Sequence, residues 1–260
     1  MLKIENTRVE GFEPAIRGMR NPMNSWDKSD SLFSRSTGFF ENIKGEVIDE
    51  WEKDFVPDFI LGLNDEKLMR QLANAGKDHA KYRRMIIVWA DILAPLYWWK
   101  EFDTYKVGTV ANSCSTMHKI QAKEFTIDDF SHEHLISPYE ILFDRSSEML
   151  KEPSLAVVLV NEEKAYYTPY DFLSMTCDAL NHFRKLYLET KDKRYWWQMI
   201  QLLPSSYNQR RTVMLNYEVL ANIYPARKDH KLDEWHTFCS WIESLPESWI
   251  ITGKTDEEET

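Results

Sequence analysis

The chain has 260 residues, a formal net charge of −10, and an apolar fraction of 43% that includes 13% aromatic residues. This composition indicates a globular protein with a full core and excludes a disordered chain. The acidic balance argues against nucleic acid or an anionic membrane as a partner, because both require a basic surface.

The three cysteines, Cys114, Cys177 and Cys239, form no CxxC pair. Such a sparse count is typical of free thiols in a reducing compartment. The first residues lack the apolar run of a signal peptide, and no window reaches the roughly 18 apolar residues of a membrane span. A cytoplasmic protein with a single domain over residues 1–254 and an acidic, disordered tail at residues 255–260 is therefore predicted.

In chain order, the first predicted strand covers Leu2–Val9. Residues 20–45, with several Asn and Ser, are expected to be irregular. The short β-branched run Met85–Ile92 predicts a buried strand. Pro95 then fits the first turn of a helix over Leu96–Phe102.

Helix-start signals follow in the second half of the chain. Thr126 and Asp129 have the spacing of a capping box, so a helix is expected to begin there. Thr168 and Pro169 give a second start, a cap followed by a first-turn proline. A shorter helix is expected over Arg194–Leu202.

Two further segments have apolar residues at helical spacing, Tyr207–Tyr224 and Leu232–Ile242. Both are predicted to be helices. The pattern as a whole favours an α+β fold that is rich in helices and contains a small antiparallel or mixed sheet.

The stretch Ala94–His118 places a Trp-rich apolar turn directly before a polar loop, an arrangement typical of a ligand site. The polar side chains of this stretch are Glu101, Lys106, Thr109, Asn112, Ser113, Ser115 and His118. Lysine, hydroxyl and backbone N–H groups in such a loop can bind a phosphorylated ligand. The alternative is a solvated loop with local capping hydrogen bonds.

Two other candidates have an ordinary structural explanation beside the functional one. His79 follows a predicted helix, where it either interacts with the helix dipole or contacts a ligand at the entrance of the next strand. Arg227 either reaches an anion in a pocket or forms a surface ion pair with Asp229 or Asp233.

A metal site was considered at four neighbouring residues, Asp128, Asp129, His132 and His134. Helical spacing would put Asp128 and His132 on one face. No matching second half-site occurs elsewhere in the sequence, so no metal is predicted.

The order of these pieces resembles the flavin-dependent thymidylate synthases, the ThyX family. That family has a GHxTPFEH segment, then a strand, a helix that begins near Ala-Pro and carries a Gln, and an RHRxxSxNExSxRY motif. The corresponding residues here are His79 for the first His, Ala94-Pro95, Glu101 for the Gln, Thr104, Tyr105 and Lys106 for RHR, Thr109 for the next Ser, and Asn112–His118 for NExSxRY.

A second block of the same family also has counterparts in this chain. Its Leu-Pro, its NxRxL and its later Arg correspond to Leu203-Pro204, Asn216–Leu220 and Arg227, and its AQxEI falls on Leu232–Trp235. Together the two blocks cover about a third of the chain.

The resemblance implies an enzyme that methylates deoxyuridylate with methylenetetrahydrofolate, FAD and NADPH, as a homotetramer whose sites lie at subunit interfaces. The implied flavin contacts are His79, Lys106, Thr109 and Asn112. The implied contacts of the substrate, a small-molecule nucleotide, are Glu101, Ser113, Ser115 and Arg227, and Arg227 would polarise the pyrimidine as the catalytic residue.

The departures from the family pattern bear on activity. Both arginines of RHR are lost, Met117 replaces a later Arg, and Glu218 stands where the family has Arg. Losing three charge-assisted hydrogen bonds to ligand would cost about 4–9 kcal/mol. New cations would have to compensate, and the candidates are Arg83, Arg84, Arg210 and Arg211. The alternative function is therefore a non-catalytic oligomeric relative that has lost the flavin site or binds a different nucleotide.

Overall fold

The computed structural model describes residues 2–34, 39–42, 44, 46–50, 59–137, 156–160 and 163–253. The helices within these ranges are α1 (Phe12–Arg20), α2 (Leu63–Asn74), α3 (Leu96–Phe102), α4 (Pro169–Thr190), α5 (Lys193–Leu202), α6 (Tyr217–Arg227), α7 (Asp233–Glu243) and α8 (Trp249–Thr252). Short 3-10 turns cover Asn21–Met23, Trp26–Lys28, Lys81–Met85 and Ile127–Asp129.

The strands are β1 (Lys3–Glu10), β2 (Leu32–Ser34), β3 (Phe39–Glu41), β4 (Val47–Glu50), β5 (Phe59–Ile60), β6 (Ile87–Pro95), β7 (Val110–Ser113), β8 (Ala156–Val160), β9 (Glu163–Tyr167) and β10 (Asn208–Asn216). The main sheet has the order β1-β6-β10-β7. A second sheet, in the order β4-β3-β2-β5, and the β8-β9 pair are antiparallel. The predicted helix-rich α+β class with a small sheet is confirmed.

The chain forms two compact units. Unit 1 comprises Met1–Lys3, Ile92–Thr104 and Asn112–Arg211, and unit 2 comprises Ile4–Asp91, Tyr105–Ala111 and Thr212–Thr260. Neither unit is one continuous segment, so no single boundary cuts the chain into two sequential domains. The single domain over residues 1–254 stays a prediction, and the acidic tail at residues 255–260 lies outside the described residues.

The core of unit 1 is built on one face of α4. Leu173, Cys177 and Leu180 recur at helical spacing on that face and are buried. Phe130 and Met199 pack into the same cluster and are 1% and 0% exposed. This cluster lies under the loop that follows β7, because Ile120 and Phe125 belong to it as well.

The core of unit 2 is packed from α6, α7 and α8. Tyr217, Leu220 and Ile223 of α6 are fully buried, as are Trp235 and Phe238 of α7. Tyr217 also donates a hydrogen bond from its hydroxyl to the carbonyl of Pro246. Helix α6 is therefore fixed to the chain that leads into α8.

Several predicted elements are confirmed with small shifts. The strand expected at Met85–Ile92 begins at Ile87 and continues to Pro95. The helix expected after Thr168 is α4, and Thr168 and Asp171 form its capping box. The helices expected at Arg194–Leu202 and Leu232–Ile242 are α5 and α7. The helix expected over Leu96–Phe102 is α3, with Pro95 as its N-cap residue and as the last residue of β6 rather than in its first turn.

Other predictions are wrong. The capping box at Thr126 and Asp129 is present, but it begins only the 3-10 turn Ile127–Asp129. The paired strands β2 and β3 lie inside residues 20–45, which were expected to be irregular.

The largest error concerns Tyr207–Tyr224, which was predicted as one helix. Its first half is the strand β10, and helix α6 begins only at Tyr217, with Asn216 as the cap whose side chain accepts from the backbone N–H of Val219. The buried residues Gln209, Val213 and Leu215 are separated by even numbers of positions, as the period of two in a strand requires, and β10 lies between β6 and β7 in the sheet.

A buried ion pair joins α1 to α2 within unit 2. The Nε of Arg20 donates to Oδ1 of Asp65 at 2.5 Å, and the two residues are 2% and 0% exposed. The other carboxylate oxygen of Asp65 accepts from the Ser29 hydroxyl and from the backbone N–H and hydroxyl of Ser31. Both charges are thus compensated inside the protein.

Among the described residues, no helix combines the length and the apolar character that crossing a membrane requires.

Replacement of Asp65 by Ala should lower the free energy of unfolding by about 3–5 kcal/mol, because it leaves the Arg20 guanidinium buried without a counter-charge. Chemical denaturation measures this change. Glu66→Ala is the matched control, since Glu66 forms a partly exposed ion pair with Arg70 within α2 and should cost at most about 1 kcal/mol. Equal effects of the two substitutions would show that the buried ion pair contributes no more to the free energy of unfolding than the partly exposed one.

Candidate functional site

A hydrogen-bonded crosslink around Gln209 ties together three parts of unit 1. The Trp99 indole N–H of α3 donates to the Gln209 carbonyl at 2.9 Å. The Gln209 amide donates to the Cys114 carbonyl at 2.7 Å, and the Cys114 N–H donates to the Arg210 carbonyl at 2.9 Å. Helix α3, strand β10 and the loop that begins after β7 are therefore held in a fixed arrangement.

The two consecutive arginines of β10 have opposite surroundings. Arg211 lies over the Trp99 ring at 4.2 Å, and it donates to Asp103 at 2.7 Å and to the Gln209 side chain at 3.0 Å. Arg210 is exposed and lines a cleft. This follows from strand geometry, because successive side chains point to opposite faces of a sheet.

That cleft, here called the unit 1 cleft, has a volume of about 560 Å³. Its lining residues are Leu93, Cys114, Ser115, Thr116, Lys119, Ile120, Lys123, Phe125, Asp128, Asp129, Tyr207, Asn208, Gln209 and Arg210. Apolar and aromatic side chains thus lie beside hydroxyls and charges. The volume and this mixture are typical of a small-molecule site.

Ser115 shapes the rim of the unit 1 cleft. Its hydroxyl oxygen accepts from the backbone N–H of His118 at 2.9 Å and from that of Met117 at 3.3 Å. These local bonds close a turn after β7. Because the oxygen is used only as an acceptor there, the hydroxyl proton is left to donate elsewhere.

The other site residues predicted in unit 1 do not line this cleft. Asn112 and Ser113 are exposed on β7. Glu101 is half-buried on α3, and its carbonyl accepts from the Thr104 hydroxyl at 2.7 Å. Of the four predicted unit 1 residues, only Ser115 lies at the cleft.

In unit 2, Arg227 is held against aromatic rings at the end of α6. Its guanidinium lies 4.5 Å from the Trp235 ring centroid and 5.6 Å from that of Tyr105. Its Nε donates to the Tyr105 hydroxyl at 2.8 Å. The side chain is thus a cation of defined orientation, held by stacking and by the hydrogen bond to Tyr105.

Three further predicted residues belong to unit 2. His79 is exposed in the turn after α2, beyond the last turn of that helix. Lys106 is exposed as well. The Thr109 hydroxyl oxygen is enclosed and has no hydrogen-bond partner, in a loop where Gly108 takes a φ of +80° and lies close to the side chains of Asn216 and Val219.

Glu218, which stands where the family has an arginine, is 8% exposed in the first turn of α6. One of its carboxylate oxygens, Oε2, is enclosed without a hydrogen-bond partner. The negative charge of this carboxylate would repel a phosphate group bound beside it, because like charges repel strongly where water is excluded.

The acidic and histidine residues considered for a metal serve other contacts. Asp129 accepts from the backbone N–H of Thr126 at 2.9 Å and pairs with Lys123, and a ring nitrogen of His132 lies 2.9 Å from the Phe130 carbonyl. The expected helical face does not exist, because the 3-10 turn ends at Asp129. In the part of the chain that the structure describes, no group of three His, Cys, Asp or Glu side chains is placed to hold a metal ion.

Sequence reasoning missed several residues of the unit 1 cleft, above all Lys119, Lys123, Tyr207 and Asn208. The two lysines follow the motif by a few residues and have no counterpart in it. Asn208 begins β10 and Tyr207 directly precedes it. No alternation of apolar and polar residues marks this strand in the sequence, because the three consecutive residues 213–215 are all apolar.

Comparison with known proteins gives a fold likeness alone. No family model and no curated protein sequence matches the chain. A solved structure of the flavin-dependent thymidylate synthase ThyX from Helicobacter pylori, complexed with FAD and dUMP, matches 96% of this chain and 97% of its own, with a TM-score of 0.57 and 14% identity. A second structure of that enzyme with FAD and dUMP covers 97% of both chains, with a TM-score of 0.58 and 14% identity.

A UMP/dUMP methylase, PolB from Streptomyces cacaoi bound with 5-Br UMP, is also similar. It covers 97% of this chain and 96% of its own, with a TM-score of 0.52 and 11% identity. At these identities the likeness shows a shared fold, and the ThyX-like fold that the resemblance implied is thereby confirmed.

Replacement of Gln209 by Ala should lower the free energy of unfolding by about 1–3 kcal/mol, because the Cys114 carbonyl and the Arg211 guanidinium each lose a partner. The matched control is Gln201→Ala, an exposed glutamine on α5, which should change stability by less than about 0.5 kcal/mol. Both values come from denaturant titration. Equal stabilities of the two variants would contradict the role of the crosslink.

Of the three thiols, only Cys114 should react promptly with a thiol reagent in the native protein. Cys114 is exposed, whereas burial raises the pKa of Cys177 and raises that of Cys239 to about 11. A raised pKa lowers the thiolate fraction at about pH 8, and burial also blocks access. Mass spectrometry after brief labelling should show one modified site, and Cys114→Ser should show none.

Proposed function

We propose that this protein binds a pyrimidine nucleoside monophosphate and methylates it on the pattern of the ThyX enzymes, with methylenetetrahydrofolate, flavin and a nicotinamide reductant. The fold likeness to FAD- and dUMP-bound structures over 96% or more of both chains is the observation that carries the proposal. The similar UMP/dUMP methylase supports the same substrate class.

The unit 1 cleft supports the nucleotide part of the proposal. Ser115, which the resemblance gives to the substrate, lies on its rim, and the aromatic side chains of Phe125 and Tyr207 line it. A base can pack against such rings while a phosphate meets the hydroxyls and cations. A volume of about 560 Å³ suits a nucleoside monophosphate.

Flavin, when bound, would supply the redox chemistry of the reaction. The residues proposed to hold it in unit 2 are Lys106, Thr109 and His79. Lys106 and His79 are exposed, which fits a ligand contact. The Thr109 hydroxyl oxygen is enclosed in this structure, which does not favour its role. Asn112 stays a predicted flavin contact in unit 1.

Arg227 is proposed to polarise the pyrimidine carbonyl. Its stacking on Trp235 and its bond to Tyr105 fix the guanidinium before substrate arrives, which reduces the reorganisation that charge stabilisation would otherwise require. The proposed homotetramer would place its sites at subunit interfaces.

A specific observation favours the alternative of a relative that has lost the flavin site. Of the positions that align with the family's RHR triplet, the Thr104 and Tyr105 side chains serve internal contacts, to the Glu101 carbonyl and to Arg227. Only Lys106 remains as an exposed cation at these positions. The flavin diphosphate therefore has fewer charged partners than in the family.

The proposal predicts that purified protein, incubated with FAD and desalted, retains the visible flavin absorbance and oxidises NADPH in a deoxyuridylate-dependent way. Arg227→Lys should lower this turnover about 100-fold, because a lysine neither stacks nor presents a planar fork. Lys228→Ala, at the exposed next residue, is the matched control and should leave turnover unchanged.

Colourless protein that still binds deoxyuridylate would establish the alternative, a nucleotide-binding relative without flavin. Protein that binds neither would contradict both forms of the proposal.

A further inference from the structure

The unit 1 cleft carries a positive charge in an acidic protein. Its lining includes three cationic side chains, Lys119, Lys123 and Arg210, against two carboxylates, Asp128 and Asp129. The cleft is thus net positive by one charge, although the whole chain carries −10. A local reversal of charge inside a concave surface concentrates anions there.

The three cations are not equivalent. Lys123 is paired with Asp129, so its charge is already compensated. Lys119 is exposed and makes no ion pair or side-chain hydrogen bond within the described residues. Arg210 is exposed and lines the cleft, and Arg211 packs on Trp99 and pairs with Asp103.

Two hydroxyls precede Lys119 by a few residues in the sequence and also line the cleft. The Ser115 oxygen accepts from two backbone N–H groups, which leaves its proton free to donate, and the half-buried Thr116 also lines the cleft. Phosphate oxygens accept hydrogen bonds from hydroxyls, ammonium and guanidinium groups. The cleft offers each of these donors, on Ser115, Thr116, Lys119 and Arg210.

We propose that Lys119 and Arg210, with the Ser115 hydroxyl, bind the phosphate of the nucleotide substrate and so replace the arginine lost at Met117. The inference rests on the proposed function for the identity of the nucleotide. Lys119 follows Met117 by two residues in the same turn segment, and Arg210 joins that segment through the backbone bond from Cys114. Lys119 and Arg210 thus supply the positive charge that is missing at Met117.

The position of the apolar lining decides which end of the nucleotide meets these cations. Leu93, Ile120, Phe125 and Tyr207 line the same cleft and offer no charge to a phosphate. A pyrimidine ring packs there at low cost, because its faces are apolar. A phosphate on the same ligand then requires the cationic part of the lining.

Calorimetric titration of the full-length protein with deoxyuridylate and with unphosphorylated deoxyuridine tests this assignment. Lys119→Ala and Arg210→Ala should each weaken deoxyuridylate binding about 10- to 100-fold, since each removes a charge-assisted bond. Neither should change deoxyuridine binding. Lys119→Arg should restore most of the affinity, and its salt dependence should match that of the unmodified protein.

The matched control is Lys100→Ala, at an exposed lysine of α3 in unit 1 that is not part of the cleft lining. It should alter deoxyuridylate affinity no more than about twofold, because a solvent-exposed charge outside the cleft is screened by salt. Protection of Cys114 from thiol labelling by the nucleotide gives a second readout, since Cys114 lines the cleft.

The outcomes separate the phosphate assignment from the proposed function. Deoxyuridylate binding that is unchanged in both variants overturns the assignment and leaves the function standing. Binding of inorganic phosphate or adenylate that depends on Lys119, without any deoxyuridylate binding, overturns the function and supports the assignment. If no phosphorylated compound binds, the assignment is overturned.

Discussion

The crosslink around Gln209 is the constraint on which the candidate site depends. Its main-chain carbonyl accepts from Trp99, and its side chain bonds both the Cys114 carbonyl and Arg211. Gln209 is 7% exposed, and a buried amide that lost these partners would cost more than the bonds themselves contribute. The loop after β7 therefore has one arrangement over β10, and the unit 1 cleft exists because of it.

The same crosslink separates an arginine that supports the fold from one that lines the cleft. Arg211 completes the packing on Trp99 and the ion pair with Asp103. Arg210, one residue earlier, lines the cleft. In unit 2, Tyr105 supports Arg227 through a hydrogen bond. Tyr105, which the resemblance aligns with the family's RHR triplet, thus holds another side chain in place here.

The chain has a ThyX-like fold at 14% identity to a solved structure and with few of the family's motif residues. The fold requires the buried aromatic and aliphatic side chains and the compensated Arg20–Asp65 pair, which are independent of any ligand. The ligand sites require charges, and charges can be supplied from different positions around one cleft. A shared fold therefore does not require a shared motif.

Local sequence signals predicted the helices and strands whose ends are marked by capping residues or by a change in apolar periodicity. The cap at Thr168 with Asp171 and the apolar periodicity of α4 and α7 predicted these helices, and the β-branched run before Ala94 predicted β6, because these preferences act within a few residues. The resemblance in motif order predicted the fold, and Ser115, one of the residues it assigns to the substrate, lines the unit 1 cleft.

Tertiary structure alone decided the rest. Residues 208–216 form a strand because they pair with β6 and β7, contacts that a local pattern does not contain. That pairing puts Arg210 at the cleft and Arg211 on Trp99, and it joins Lys119 to a site far away in sequence. The sequence by itself determined which residues are available for chemistry, and non-local pairing decided which of them meet.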